Sequence, residues 1–198
     1  TGNTIDLGLG LDTLKFTDTS SRDHVIVTNT TISGAKSLTF EKAATAPFIT
    51  TGAGADVVVF EGAVAGSGVI ATHSGNDSIQ FLKNATFNTL NLGAGADSLY
   101  GAQLISNTTV SGATGKDTFL LSTLSDAAVY GGSGKDVVNI TGSLYGATVD
   151  FGADNEAFTL SVGATNSTIS GGSGNDTFVV TASNLQTASK IDGGVGND

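Results

Sequence analysis

The chain has no cysteine, no methionine, no tryptophan, one proline and two histidines among 198 residues. Without cysteine there are no disulfides, no thiolate nucleophile and no sulfur-based zinc site, a pattern compatible with a bacterial exported protein that does not rely on an oxidising compartment. Without methionine, the sequence is expected to start downstream of its initiator, as a mature or excised segment. No run approaches the ~18 apolar residues of a membrane span, and no charged, then apolar leader opens the chain, so neither membrane insertion nor a signal peptide is expected. Basic residues are scarce, 8 against 18 acidic, for a net charge of −10. That charge repels nucleic-acid phosphates and anionic lipid and attracts cations, which excludes nucleic acid as a partner.

What is abundant is glycine, 28 residues, about twice the usual share, and this composition disfavours helix. Hydrophobic residues make up 39% and charged ones only 13%, so the chain can bury apolar surface without self-repulsion forcing it open.

The glycines are periodic. An acid behind a glycine-rich loop recurs as Gly8-Leu-Gly-Leu-Asp12, Gly52-Ala-Gly-Ala-Asp56, His73-Ser-Gly-Asn-Asp77, Gly93-Ala-Gly-Ala-Asp97, Ala113-Thr-Gly-Lys-Asp117, Gly132-Ser-Gly-Lys-Asp136, Gly152-Ala-Asp154-Asn-Glu156, Gly172-Ser-Gly-Asn-Asp176 and Gly194-Val-Gly-Asn-Asp198. A degenerate copy carries Lys36 at the acid position. Successive anchors lie 19 to 24 residues apart, with a period near 20. Each acid leads into a period-two alternation, as in Val58 and Phe60, Ile79 and Phe81, Phe119 and Leu121, or Phe158 and Leu160, the pattern of a half-buried strand. A second short strand precedes each loop, centred on one aliphatic residue, as in Thr89-Leu-Asn91 and Thr168-Ile-Ser170.

A two-strand coil of this length cannot bury its apolar face alone, so neighbouring coils must stack. The expected fold is all-β: a right-handed parallel β-solenoid (β-roll or β-helix) with about 20 residues per coil. Nine to ten coils would form one rod over residues 1–198, with Pro47 between strands. The extra residues between Asp12 and Lys36 place a polar loop at Thr17–His24, and the stop in mid-repeat at Asp198 predicts a fragment of a longer array.

Stacking puts the anchor acids in a file along one edge. Two unit charges ~5 Å apart at an effective dielectric of 20 repel by about 3 kcal/mol, so several pairs would rival the ~5 to 15 kcal/mol stability of a domain. Bound cations remove the conflict. A single Gly-x-Gly-x-Asp is ordinary turn chemistry, but nine in register are not, because asparagine or serine would turn the chain without the repulsion. Carboxylates and carbonyls are hard oxygen donors, and a flexible set of six to eight suits calcium better than magnesium. The candidate carboxylates are Asp12, Asp56, Asp77, Asp97, Asp117, Asp136, Asp154, Glu156, Asp176 and Asp198. Candidate carbonyls lie near Gly52, Gly54, Gly75, Gly93, Gly95, Gly115, Gly132, Gly134, Gly172, Gly174, Gly194 and Gly196. His24 and His73 fall in different coils, too few for a nitrogen-preferring metal.

The loops resemble the RTX (repeats-in-toxin) calcium-binding nonapeptide, Gly-Gly-x-Gly-x-Asp followed by x-apolar-x. Gly171-Gly-Ser-Gly-Asn-Asp-Thr-Phe-Val179 matches at every position, and Gly131–Asn139 nearly so. The resemblance implies a β-roll with calcium between loops of successive turns. It departs from the family in pairing one acidic loop per coil with an uncharged turn, which implies one calcium file, and in Lys36, Ala113 and the Asp154/Glu156 loop, where ligands are displaced or lost.

Ser20, Ser21, Asp23 and His24 supply the residue types of a hydrolase triad but lack the strained turn that presents a nucleophile, and no carboxylate pair fits glycoside hydrolysis. The chain is not expected to be an enzyme. The resemblance extends to bacterial surface-layer proteins and large RTX adhesins, and implies an extracellular structural module on the surface of a Gram-negative bacterium. Such a module would pass through type I secretion, fold on calcium outside the cell, and have copies of itself or cell-surface components as partners. The alternatives are the secretion and folding module of an exported enzyme or toxin, and a calcium-dependent ice-binding solenoid built on the ladder of Thr31, Thr89, Thr109, Thr148 and Thr168.

Overall fold

The computed structural model describes residues 4–6, 13–16, 31–33, 37–41, 43–86, 89–181, 185–186 and 188–198. The polar loop Thr17–His24, the anchor Asp12 and Lys36 lie outside the described residues. Every strand pairing among the described residues is parallel, and no helix occurs among them. The chain winds as a β-solenoid with about 20 residues per coil, and among the described residues nine successive coils contribute a strand to its long sheet.

The strand that follows each loop joins one long sheet. Its members Thr13–Phe16, Ser37–Phe40, Val57–Phe60, Ser78–Phe81, Ser98–Ser106, Thr118–Ser125, Val137–Ile140, Ala157–Leu160 and Thr177–Val180 pair in sequence order. The partner of each residue is its equivalent one coil later, as in Ile79↔Leu99 and Leu99↔Phe119. This register follows from the alternation, because a one-residue slip would turn the whole apolar set outward. Two inward columns result. One runs Leu38, Val58, Ile79, Leu99, Phe119, Val138 and Phe158, all buried, and ends on the half-buried Phe178. The other contains Phe40, Phe60 and Phe81, whose rings stack at centroid distances of 4.7 and 5.1 Å.

The strands that precede the loops form a second parallel sheet, with Ile49, Ile70, Leu90, Val110, Val129, Val149 and Ile169 buried along its inner face. On the outer face the threonine ladder is interrupted, since Phe48, Val69, Thr89, Thr109, Ala128, Thr148, Thr168 and Lys190 stand in one row. Pro47 sits between Ala44–Thr45 and Phe48–Thr50.

A third element goes beyond the two strands read from the sequence. Two-residue strands Ala44–Thr45, Val64–Ala65, Ala85–Thr86, Leu144–Tyr145 and Ala164–Thr165 bridge the corner opposite the acids. Each buries one small or aliphatic residue, which closes the narrow core on that side. The turn beyond them takes positive φ at Ala46, Gly66, Asn107, Asp126, Gly146 and Asn166. Asp126 is thus an acid in the corner expected to be uncharged, but it is exposed.

Candidate metal centre

Each glycine loop joins the second sheet to the first, and the acid at its end opens the next strand. Asp56, Asp77, Asp97, Asp117, Asp136, Glu156 and Asp176 are all buried, none more than 5% exposed. They form the file that the period predicts. One oxygen of Asp77, Asp97, Asp117, Asp136 and Asp176 is tied into the backbone of the coil before it. The N–H of Asp56 donates to Oδ1 of Asp77 (2.8 Å), that of Asp77 to Asp97 (2.7 Å), that of Asp97 to Asp117 (2.9 Å) and that of Asp117 to Asp136 (2.8 Å). The ladder resumes from Glu156 to Asp176 and from Asp176 to Asp198, both 3.0 Å. The step from Asp136 to Glu156 has no such bond, in keeping with the extra methylene of glutamate.

The second oxygen is different. Oδ2 of Asp97, Asp117, Asp136 and Asp176 is buried and accepts no hydrogen bond. A buried carboxylate oxygen without a donor is costly, and it marks a place where a cation would restore the lost solvation. Burial pushes the carboxyls of Asp97, Asp117 and Asp136 up to about 6, with the backbone N–H of the preceding coil opposing the rise and nearby acids adding to it, from the file for Asp97 and Asp117 and from Asp154 for Asp136. Glu156 is pushed up to about 8, first by burial and then by the carboxyl of Asp176 beside it.

The loop glycines are needed where they stand. Gly54, Gly75, Gly93, Gly95, Gly115, Gly132, Gly134, Gly172, Gly174 and Gly194 all have positive φ, and a β-carbon on Gly95 or Gly115 would overlap the carbonyl of the equivalent glycine one coil earlier. Gly52 and Gly196 do not fall in that region. His73, Ala113 and Asp154 occupy loop positions of the same kind, at φ 66°, 73° and 95°. Asp154 therefore stands in a glycine's place, exposed, with Oδ2 accepting from the N–H of Gly134, and it lies outside the buried file. Asp198 is exposed, and its Oδ1 receives the N–H of Asp176.

Among the described residues, no three histidine or acidic side chains gather into a cluster that could hold a metal. One carboxylate per coil means that carbonyl oxygens must supply the rest of any coordination shell, as calcium accepts and zinc does not. The glycine preceding each full loop, which the sequence reading left out of the site, shapes this place. A β-carbon on Gly112 would strike Asp117 Oδ2 and the carbonyl of Gly131, one on Gly131 would strike Asp136 Oδ2 and the carbonyl of Phe151, and one on Gly171 would strike Asp176 Oδ2 and the carbonyl of Gly193. Each such glycine leaves a cradle walled by a carboxylate oxygen and a carbonyl from the next coil. The doubled glycine of Gly131-Gly132 and Gly171-Gly172 was the signal for it.

Fold and loops together define a calcium-binding repeat solenoid. The family model for the RTX calcium-binding nonapeptide repeat matches in four copies, over residues 84–103 and 159–183. These two segments carry RTX calcium-binding repeats. No curated protein and no solved structure matches the chain. RTX repeats bind calcium and typically occur in exported proteins, and among the described residues no helix is long and apolar enough to cross a membrane.

Proposed function

We propose that this chain is an extracellular structural module of a bacterial cell-surface protein, a surface-layer lattice protein or an adhesin stalk, which folds on binding calcium after secretion. The observation that carries this reading is the file of buried carboxylates, in which the second oxygens of Asp97, Asp117, Asp136 and Asp176 have no donor. Seven like acids in register are unfavourable in a bare protein and favourable around cations. The regular stacking of the coils also supports a structural role, since a module that repeats one register at each turn gains stiffness along its length. Copies of the chain or cell-surface components are the partners that such a rod would engage.

The open chain has no preformed site, so the free energy of calcium binding becomes folding free energy. A calcium-poor cytoplasm then keeps the chain threadable through an export channel, and millimolar calcium outside folds it. Far-UV circular dichroism against free calcium tests this. The β signal should fall in chelator and return cooperatively with calcium in the range typical of extracellular modules, with magnesium a poor substitute. A rod unchanged in chelator, with the same melting temperature after calcium is added, overturns the reading.

A further inference from the structure

We propose that the residue five positions before each acid decides which coils take calcium: glycine opens the cradle, while threonine, leucine or phenylalanine closes it. The inference rests on the calcium reading and divides the file into two kinds of coil.

That position points inward at every coil from Thr51 to Gly171, where Thr51, Thr72, Leu92, Gly112, Gly131, Phe151 and Gly171 are all buried. In the three glycine coils with a described coil beyond them, the space a side chain would fill is bounded by the coil's own carboxylate Oδ2 and by the next coil's carbonyl: Asp117 with Gly131, Asp136 with Phe151, and Asp176 with Gly193. These are two hard oxygens from different coils facing one small volume, and Asp117, Asp136 and Asp176 bring to it buried oxygens with no other partner; Asp97 has such an oxygen too, but there the buried side chain of Leu92 stands where the cradle would open.

In the other coils the same volume holds protein. The hydroxyl of Thr51 donates to the carbonyl of Thr72 (3.1 Å), and that of Thr72 to the carbonyl of Leu92 (2.7 Å). Those acceptors are the positional equivalents of the Gly131, Phe151 and Gly193 carbonyls that wall the open cradles. A threonine hydroxyl thus performs the job of the cation, satisfying the carbonyl of the next coil from within, and its methyl fills the remaining space. Leu92 and Phe151 close their coils with apolar bulk, Phe151 packing at 5.6 Å from Phe158 and 6.1 Å from Phe178. The segment 84–103 therefore matches the calcium repeat and contains Asp97, yet Leu92 occupies its cradle.

Calcium accordingly belongs to Asp117, Asp136 and Asp176, while the coils of Asp56 and Asp77 are held by hydroxyl bonds and stacked phenylalanines, and that of Asp97 is filled by Leu92, without it. The rod has a metal-dependent part from Gly112 onward, interrupted at the coil that Phe151 closes, and a metal-independent part before it.

The test is a count of bound calcium on the full chain by titration calorimetry, repeated with luminescent terbium as the probe. Asp117→Asn and Asp176→Asn should each lower the count by one, while Asp77→Asn and Asp97→Asn leave it unchanged. Gly131→Thr should remove one ion. Should that variant fail to fold, Thr72→Gly carries the same question in the opposite direction, since it opens a cradle beside Asp77 and should add one. A loss of one ion in Asp77→Asn or Asp97→Asn, or an unchanged count in Thr72→Gly, overturns the inference while leaving calcium binding intact. A parent chain that binds neither calcium nor terbium overturns the calcium reading itself.

Discussion

Asp117 serves two coils at once: its Oδ1 accepts the N–H of Asp97 at 2.9 Å, and its Oδ2 stays buried without a donor. The two oxygens have separable roles. In Asp117→Asn the amide oxygen still takes the Asp97 N–H while the charge is gone. In chelator this variant should melt higher than the parent, because a buried unpaired charge has been removed, and in saturating calcium it should melt lower. Thermal scans of both proteins in both buffers check the crossing, and a variant less stable than the parent under both conditions would show that the carboxylate is mainly a backbone acceptor.

The core makes a second prediction. Phe158 is buried in the column between Val138 and Phe178, whereas Phe178 is only half-buried. Phe158→Ala should destabilise the calcium-loaded rod by about 3 to 5 kcal/mol through the cavity left between coils, and Phe178→Ala by less. Urea unfolding at saturating calcium gives both values. The reverse order would mean that the solenoid is sealed further along the chain than the exposure of Phe178 implies.

The raised carboxyls fix the sign of the pH dependence. Asp97, Asp117 and Asp136 move from 3.8 to about 6, and Glu156 from 4.5 to about 8, so the folded, metal-free chain holds protons that the unfolded chain releases. Their contribution to stability is fully present below about pH 4, is lost between 4 and 6 for the aspartates, and continues to fall toward 8 for Glu156. Metal-free protein should therefore melt highest in acid and progressively lower toward pH 8. With calcium the trend should invert, since protons compete for the same oxygens. Calorimetric scans across this range decide it, and a metal-free melting temperature that rises with pH would refute the assignment of burial as the cause.

His73 offers a control. It has φ 66° in a loop position that glycine fills in the next coil, as Gly93 at 99°, and its side chain is exposed. The left-handed conformation costs a β-carbon residue roughly 1 to 2 kcal/mol, part of which glycine returns through its freer unfolded chain. His73→Gly should therefore be neutral to about 1 kcal/mol stabilising, with calcium stoichiometry unchanged. A lost ion would reveal imidazole ligation.

The period, the parallel stacking and the inward columns were legible because they depend on pattern alone: Ile79 and Phe81 alternate with the polar Ser78 and Gln80, and 20-residue spacing leaves few ways to stack them. The acid file followed from the same register. The cradles were not legible in the same way. Thr51, Thr72, Leu92 and Gly112 look unrelated in sequence, and their equivalence appears only when each side chain is placed against its own acid and the next coil's carbonyl. Asp154 and Glu156 were equal candidates for one coil's ligand. The fold separates them, placing Glu156 in the buried file and Asp154 in the open at a glycine position. The two-residue strands also escaped notice, because a single buried Ala44, Ala85 or Ala164 is too weak a hydrophobic signal to register.

The in-register pairing of each coil only with its neighbours also sets how the rod responds to tension. Pulled from its two ends, it presents its inter-coil bonds in series, so the weakest coil opens first and the others stay closed. Each opened coil of about 20 residues releases some 65 to 70 Å of slack for the ~5 Å of rod it occupied. A surface held by such rods would yield in discrete steps under load, and wherever calcium closes the coils, local calcium would set the force at which each step occurs.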